Sequence, residues 1–116
     1  MHCSTLAAWP VSVWGAGRVV LIGDAAHGCS PMLGQGGAMA IEDGWLLAES
    51  LATGAELDAA LAAFVERREP RVSWVREQSL AAGRALDLAP DVRDPMLAER
   101  GQALLAARFE PLRAPP

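Results

Sequence analysis

The sequence contains no lysine and no asparagine, and each absence excludes a class of function. All ten basic residues are arginine, so the chain has neither the lysine that grips phosphate in a Walker-type loop nor a lysine that forms a Schiff base. Without asparagine there is no acceptor for N-glycosylation. The formal net charge is −4 and the charged side chains are scattered, which argues against a nucleic-acid partner.

Cysteine and long apolar runs are also scarce. The two cysteines, Cys3 and Cys29, cannot build the disulfide framework of a small secreted domain, which favours free thiols in a reducing cytoplasm. Two uncharged stretches, residues 1–17 and 25–41, are both interrupted by proline and glycine, so neither suits a signal peptide or a membrane-spanning helix. We therefore predict a cytoplasmic protein without a membrane span.

The centre of the chain combines a short apolar run with a glycine-rich loop. Residues 19–22 do not alternate with polar residues, which is typical of a strand buried on both faces, and Gly23 and Asp24 end this strand. One strand cannot form a parallel sheet, and apart from a short alternation at residues 11–14 the chain has few strand candidates. We predict an α/β fragment with a short β segment, one buried strand, a glycine-rich loop and then two to four α-helices.

Helical periodicity dominates the rest of the sequence. A helix is predicted over residues 38–51, with a stop at Gly54. A second helix begins near Leu57, and Pro70 is expected to kink or interrupt it before a third segment that runs to Leu86. A short helix is expected over residues 96–108. The predicted apolar side of the first helix consists of Ala40, Ile41, Gly44, Leu47, Ala48 and Leu51.

A carboxylate and a helix start without bulky side chains make the candidate binding site. Gly36, Gly37 and Ala38 would present unpaired backbone N–H groups to a ligand, and the helix dipole there favours partial negative charge. Asp24 has a short side chain beside Gly23, so a ligand hydroxyl can approach it and donate a hydrogen bond. This combination suits a ligand with sugar-like hydroxyls at one end and an electron-rich carbonyl edge at the other.

These residues resemble the C-terminal flavin-binding motif of the FAD-dependent aromatic monooxygenases, the p-hydroxybenzoate hydroxylase-like family. The motif reads Gly-Asp-Ala-Ala-His, then Pro, then Gly-Gln-Gly, and then a helix that opens near Glu-Asp-Ala. The resemblance covers roughly residues 14–86 and is sharpest over residues 17–43. One departure is Ala38, where the family often has an asparagine whose side chain can add a contact to the flavin ring.

The resemblance implies a role for each residue of the motif. Asp24 would accept a hydrogen bond from the ribityl chain of FAD, Pro31 would lie against the isoalloxazine ring, and the amides of residues 36–38 would face its pyrimidine edge. The cofactor-binding residues predicted in this way are Gly23, Asp24, Pro31, Gly34, Gln35, Gly36, Gly37 and Ala38. The implied activity is hydroxylation of a small aromatic substrate with NAD(P)H and O2, in which no side chain of this segment need act as a catalytic acid or base.

Members of this family are several hundred residues long and begin with a strand followed by Gly-x-Gly-x-x-Gly, which is absent here. The resemblance therefore implies a C-terminal piece of a Rossmann-like FAD/NAD(P)-binding fold, inactive alone, whose ADP-binding half is missing or belongs to a partner chain. Residues 1–17 would end a substrate-side β segment, residues 18–54 would form the flavin-binding strand, loop and helix, and residues 55–116 would form C-terminal helices.

Two other functions stay open at this point. One is another flavin enzyme on the same scaffold, such as a halogenase or a reductase. The other is a non-catalytic helical interaction module, in which apolar residues complete a core with another chain. The residues proposed for that core are Leu47, Leu51, Leu61, Phe64 and Val75.

The remaining polar groups are given structural roles. We expect His27 to be a hydrogen-bonded loop histidine, and residues 66–69 to form a solvated helix face. No metal site is predicted, because the spacing of the histidines and cysteines matches no usual zinc site.

Overall fold

The computed structural model describes residues 14–116, and this part of the chain is mostly helical with a two-stranded antiparallel sheet. The strands are β1 (Gly15–Ala16) and β2 (Val19–Val20), and the helices are α1 (Asp24–His27), α2 (Gly36–Ala52), α3 (Leu57–Leu86) and α4 (Pro90–Phe109). Short 3-10 helices lie at Pro31–Leu33 and Glu110–Arg113. The alternation predicted at residues 11–14 lies outside the described residues except for its last position. Between residues 14 and 116, no helix combines the length and the apolarity needed to cross a bilayer.

The predicted strand at residues 19–22 is much shorter than expected, and it is not buried on both faces. Only Val19 and Val20 are extended, and they pair with Ala16 and Gly15 of β1. Val19 is 64% exposed and Ile22 is 42% exposed, so the prediction of one buried strand is wrong for this chain. The physical reason is that a strand needs neighbours on both edges and a layer on each face, and the described residues supply one neighbour.

Helices α2 and α3 pack against each other and enclose the core. Phe64, Val72 and Val75 of α3 are 0–1% exposed, and they lie in one cluster with Met39 and Leu46 of α2. Burying side chains of this size typically stabilises a fold by about 1.5–3 kcal/mol each. Phe64 and Val75 are therefore used inside the chain itself, which corrects the expectation that they complete a core with another chain.

Trp14 connects the sheet to the helical core. Its ring is 7% exposed and packs edge-on against Phe64, with a distance of 6.5 Å between the ring centroids. The ring also lies 5.5 Å from that of His27, centroid to centroid, at the end of α1. The hairpin and the loop that follows it are thus held on the same side of α3.

Helix α2 is rotated away from the orientation that its apolar residues predict. The buried residues are Met39, Asp43 and Leu46, whereas Ile41 is 76% exposed and Leu51 is 47% exposed. The predicted apolar side therefore faces outward over much of its length. Hydropathy did not predict the buried side of α2, because buried hydrogen bonds to the Asp43 carboxylate orient the helix.

Helix α3 is continuous for 30 residues and runs through Pro70, so the predicted interruption is wrong. A proline removes one intrahelical hydrogen bond. Here ion pairs from Arg68 and Arg71 to α2 hold the helix on both sides of that position. The predicted start at Leu57 and end at Leu86 are confirmed. Gly54 has φ +77°, which confirms it as the residue that ends α2.

Candidate functional site

The Asp24 carboxylate lies at the N-terminal end of α2. A Cβ atom built on Gly36, the first residue of α2, would be 3.8 Å from Asp24 Oδ1, and the Asp24 side chain is exposed. The first backbone hydrogen bond of α2 runs from the Met39 N–H to the Gln35 oxygen at 2.9 Å. The N–H groups of residues 36–38 precede this bond, and the first N–H groups of a helix have no acceptor within the helix.

The loop between α1 and α2 is a compact turn held by its own hydrogen bonds. The Gly34 N–H donates to the Pro31 oxygen at 2.9 Å, and Gly34 has φ +64°, which favours glycine. The Gln35 side chain donates to the Leu33 oxygen at 3.3 Å, so it is turned back onto the loop. Leu33 is buried while Pro31 is exposed, which leaves the proline ring on the outer surface of this turn.

Gly23 allows the chain to turn sharply between β2 and α1. Its backbone has φ +58° and ψ −144°, a conformation that side-chain-bearing residues rarely adopt. A Cβ atom at this position would lie 3.4 Å from the Cβ of Ala40 in α2. Gly23 is buried beneath the surface of the site, whereas Asp24 faces the solvent.

The structure thus places the predicted binding residues in two groups. Asp24 meets the start of α2 at Gly36, and Gly23, beside it in the chain, meets α2 at Ala40. The other predicted residues, Pro31, Gly34, Gln35, Gly37 and Ala38, lie along the loop and the first turn of α2.

Beneath this site lies a buried polar cluster, which we define as His27, Asp43 and Arg68. Each of these side chains is 0% exposed. Asp43 Oδ2 accepts hydrogen bonds from His27 Nε2 at 2.6 Å and from the Gly23 N–H at 2.8 Å. Asp43 Oδ1 accepts a hydrogen bond from Arg68 Nε at 2.7 Å. His27 is hydrogen-bonded as expected, although it ends α1 and does not lie in a loop, and the expectation that Arg68 lies on a solvated face is wrong.

Residues 4–79 match the family model described as an FAD-binding domain, which is more than half of the chain. The chain belongs to the FAD-binding domain family. The resemblance inferred from the motif at residues 17–43 is therefore confirmed. No solved structure matches the chain.

Several enzymes are similar to this chain. It is 53% identical over 73 residues to 2-heptyl-3-hydroxy-4(1H)-quinolone synthase of Pseudomonas aeruginosa, a match that covers 61% of this chain and 18% of that protein. It is 44% identical over 92 residues to 3-amino-4-hydroxybenzoate 2-monooxygenase of Streptomyces platensis, covering 78% and 23%. It is 48% identical over 64 residues to aurachin C monooxygenase/isomerase of Stigmatella aurantiaca, covering 55% and 17%. The chain thus spans about a fifth of the length of these relatives.

The guanidinium group of Arg68 has a hydrogen-bond acceptor at each of its three nitrogen atoms. Besides the Nε bond to Asp43, Nη1 donates to Glu42 at 2.8 Å and Nη2 donates to the Met39 oxygen at 3.2 Å. Arg71 also donates to Glu42, at 2.8 and 3.0 Å. Such complete pairing is what makes a buried cation tolerable in a domain core.

Electrostatics in the cluster favour an ionised Asp43. Burial works to raise the pKa of this carboxyl group, but the hydrogen bonds from His27, Gly23 and Arg68 outweigh burial, so the pKa lies below its ordinary value.

Sequence reasoning missed Arg68, although one signal was available. Arg68 occupies an interior position in the three-four spacing of buried residues along α3, which consists of Ala60, Phe64, Arg68, Val72, Val75 and Ser79.

Cys29 lies close to the candidate site but is not activated as a nucleophile. Burial raises the pKa of its thiol, and the negative charge of Asp24 raises it further. Ser79 and Arg76 act in the opposite direction without cancelling the increase. A reactive cysteine requires a lowered pKa, so the raised pKa argues against an activated thiol at Cys29.

Two cavities of the described residues lie away from the candidate site. A groove of about 660 Å³ lies between the hairpin and α3, where Trp14 and Leu61 contribute to its lining. A second, of about 390 Å³, lies between α2 and the last residues of the chain, beside Trp45 and Pro116. None of the predicted cofactor-binding residues lines either cavity.

Proposed function

We propose that this chain binds the riboflavin part of FAD on the surface formed by Asp24 and the N-terminal end of α2. The observation that carries the proposal is the 3.8 Å approach of Asp24 Oδ1 to the Cβ position of Gly36. Asp24 would accept a hydrogen bond from a ribityl hydroxyl. The free N–H groups of residues 36–38, together with the helix dipole, would stabilise negative charge on the carbonyl edge of the flavin ring.

The residues around this surface fit a flat ring with carbonyl groups along one edge. A Cβ atom placed on Gly34 or Gly37 would meet open space, and the side chain of Ala38 is only a methyl group. Pro31 is exposed on the same loop and would lie against the ring. Gly23, Gln35 and Gly36 would shape the backbone around the ligand. No large side chain therefore has to move before the amides can reach a ligand.

We further propose that the chain is part of an FAD-dependent monooxygenase that hydroxylates a small aromatic substrate with NAD(P)H and O2. Support comes from the names of the relatives, which include a quinolone synthase and a hydroxybenzoate monooxygenase and favour a monooxygenase over a halogenase or a reductase. The bound FAD would supply the redox chemistry by accepting a hydride from NAD(P)H and activating O2. The contribution of this chain would be to bind and orient the ring.

In this proposal the chain is the C-terminal portion of a Rossmann-like FAD-binding fold. Residues 1–17 would end a substrate-side β segment, residues 18–54 would carry the flavin contacts, and residues 55–116 would support them. The part of the fold that binds the ADP half of FAD would be another segment or a partner chain. Within residues 14–116, β2 is paired on one edge only, and its other edge is where further strands of such a fold could be added.

The proposal is tested by titrating the isotope-labelled chain with riboflavin and following its backbone amides by NMR. We expect chemical-shift changes at Asp24 and at residues 36–38, and we expect Asp24→Ala to abolish them. Asp58→Ala is the matched control, because Asp58 is also an exposed carboxylate in the first turn of a helix. Shift changes at other residues, or equal losses in the two variants, would contradict a flavin site at this position.

A second candidate function, a helical interaction module, is favoured by one observation. Ile41 and Trp45 of α2 are 76% and 67% exposed, although large apolar side chains of this kind usually lie inside. A module that assembles through this face would sediment as a dimer or larger species, and Trp45→Glu would return it to a monomer without changing riboflavin binding. A wild-type chain that sediments as a monomer at all concentrations would exclude self-association.

A further inference from the structure

We propose that Asp43 is a positioning residue, which holds Asp24 at the N-terminal end of α2 by fixing both ends of α1. The inference rests on the proposed function, because the site that it positions is the flavin site proposed above. Asp43 itself is 0% exposed and does not reach that site. Its effect on a ligand would therefore pass entirely through Gly23, His27 and the backbone between them.

One oxygen atom of Asp43 holds α1 at both of its ends. Asp43 Oδ2 accepts the Gly23 N–H at 2.8 Å, and Gly23 immediately precedes α1. The same oxygen atom accepts a hydrogen bond from Nε2 of His27, the last residue of α1, at 2.6 Å. Asp24 is the first of the three residues between these two contacts. A single carboxylate oxygen therefore holds the chain on both sides of Asp24, in addition to the backbone hydrogen bonds of α1 itself.

The carboxylate is in turn held immobile on α2. Its second oxygen atom, Oδ1, accepts the hydrogen bond from Arg68 Nε at 2.7 Å, and Arg68 also donates to the Met39 oxygen in the preceding turn of α2. Asp43 follows Gly36 by about two helical turns, or about 10 Å along the helix axis. The start of α2 and the backbone of Asp24 are thus tied to the same side chain.

The carboxylate of Asp24 has no hydrogen bond of its own to the chain. Over residues 14–116, no hydrogen bond or ion pair of the Asp24 side chain is present, so its place depends on the backbone of α1.

Positioning also explains why α2 is rotated as it is. Turning Asp43 inward leaves Ile41 76% exposed, and a buried ion pair is seldom more stabilising than apolar residues of similar volume. Stability alone therefore does not favour an inward-facing Asp43. The need to hold Asp24 in a defined position does favour it.

The test compares His27→Ala with His27→Gln in the full chain. The glutamine amide can place an N–H near the position of His27 Nε2, whereas alanine removes the donor to Asp43. Glu49→Gln is the control, since Glu49 is an exposed carboxylate of α2 that pairs with Arg67. All variants are compared under conditions in which circular dichroism shows them to be fully folded. Asp43→Asn is added if it folds.

Two measurements decide the outcome. In the first, an NMR pH titration without ligand follows the Gly36 amide, which in the wild type should respond to ionisation of the nearby Asp24 carboxylate. In the second, riboflavin affinity is measured. We expect His27→Ala to weaken both the response of Gly36 and the affinity, the latter by about tenfold for the loss of one charge-assisted hydrogen bond, and His27→Gln to restore both.

The positioning role would be overturned if the Gly36 amide of His27→Ala responded to pH as it does in the wild type. It would also be overturned if the wild type bound riboflavin and His27→Ala bound it equally tightly, or if His27→Gln restored neither the Gly36 response nor the affinity. A wild-type chain that does not bind riboflavin at all would instead reject the proposed function. In that case the ligand-free titration still decides whether Asp43 and His27 hold Asp24 beside Gly36.

Discussion

Arg68 and Asp43 meet in the core with 2.7 Å between Nε and Oδ1, and neither side chain is exposed to solvent. They lie 25 residues apart in the sequence, on two different helices. Removing both charges from water is costly, and the cost is offset here because every nitrogen of the guanidinium and both oxygens of the carboxylate have partners. The pair thereby fixes how α2 is rotated against α3.

Removing the guanidinium should be strongly destabilising. Arg68→Met leaves the Asp43 carboxylate buried without its cation, and breaking a buried pair in this way typically costs about 3–5 kcal/mol. Arg67→Met is the matched control, because the neighbouring Arg67–Glu49 pair is exposed and such pairs contribute about 1 kcal/mol or less. Urea denaturation measures the free energy of unfolding of both variants. Equal losses in the free energy of unfolding would show that the buried pair stabilises the fold no more than the exposed pair does.

Stability should depend on pH through Asp43. Its pKa is lowered in the folded chain, whereas an unfolded aspartate titrates near ~3.9. The ionised carboxylate therefore stabilises the fold above that value, and this stabilisation is lost as the pH falls through the lower folded-state pKa. We expect the difference in free energy of unfolding between the wild type and Asp43→Asn to shrink below a pH of about 4. A difference that stayed constant from pH 6 to pH 2 would contradict this role.

The sequence was most informative where local rules decide the structure. The helix that begins at Leu57 and the glycine stop at Gly54 follow from local periodicity and backbone conformation, and the structure has both. The flavin-binding motif was also readable, because its residues are close together in the chain. The rotation of α2 was not predictable in this way. It depends on Arg68, a residue whose contact with Asp43 forms only when two helices pack, and hydropathy assigned both side chains to the surface.

The prediction of a buried strand was wrong for a related reason. An apolar run records that a segment is suited to burial, but burial itself requires neighbours. Val19 and Ile22 are exposed because β1 is the only strand paired with β2 within residues 14–116. Pro70 shows the opposite case, in which packing overrides a local signal and the helix continues past a residue that usually breaks it.

Gly23 should tolerate no side chain. In Gly23→Ala the new methyl group would be forced into a backbone with φ +58°, where it would lie 3.4 Å from the Cβ of Ala40. We expect a loss of about 1–3 kcal/mol in the free energy of unfolding, measured by thermal denaturation. Gly44→Ala is the control, because a Cβ there meets nothing and alanine is favoured over glycine inside a helix by about 1 kcal/mol. A Gly23 variant as stable as the wild type would mean that this turn can relax.

The carboxylate of Asp24 has two effects that substitutions can separate. As a negative charge at the N-terminal end of α2 it should stabilise the helix by about 0.3–1 kcal/mol, and as an acceptor it would bind riboflavin. Asp24→Asn removes the charge but keeps an acceptor oxygen, whereas Asp24→Ala removes both. We expect the two variants to lose the same small amount of stability at low salt. For riboflavin affinity, we expect the asparagine variant to lie between the wild type and alanine, because a hydrogen bond to an ionised acceptor is about twice as strong as a neutral one. If asparagine and alanine weakened riboflavin binding equally, the charge rather than the hydrogen bond would be what the ligand recognises.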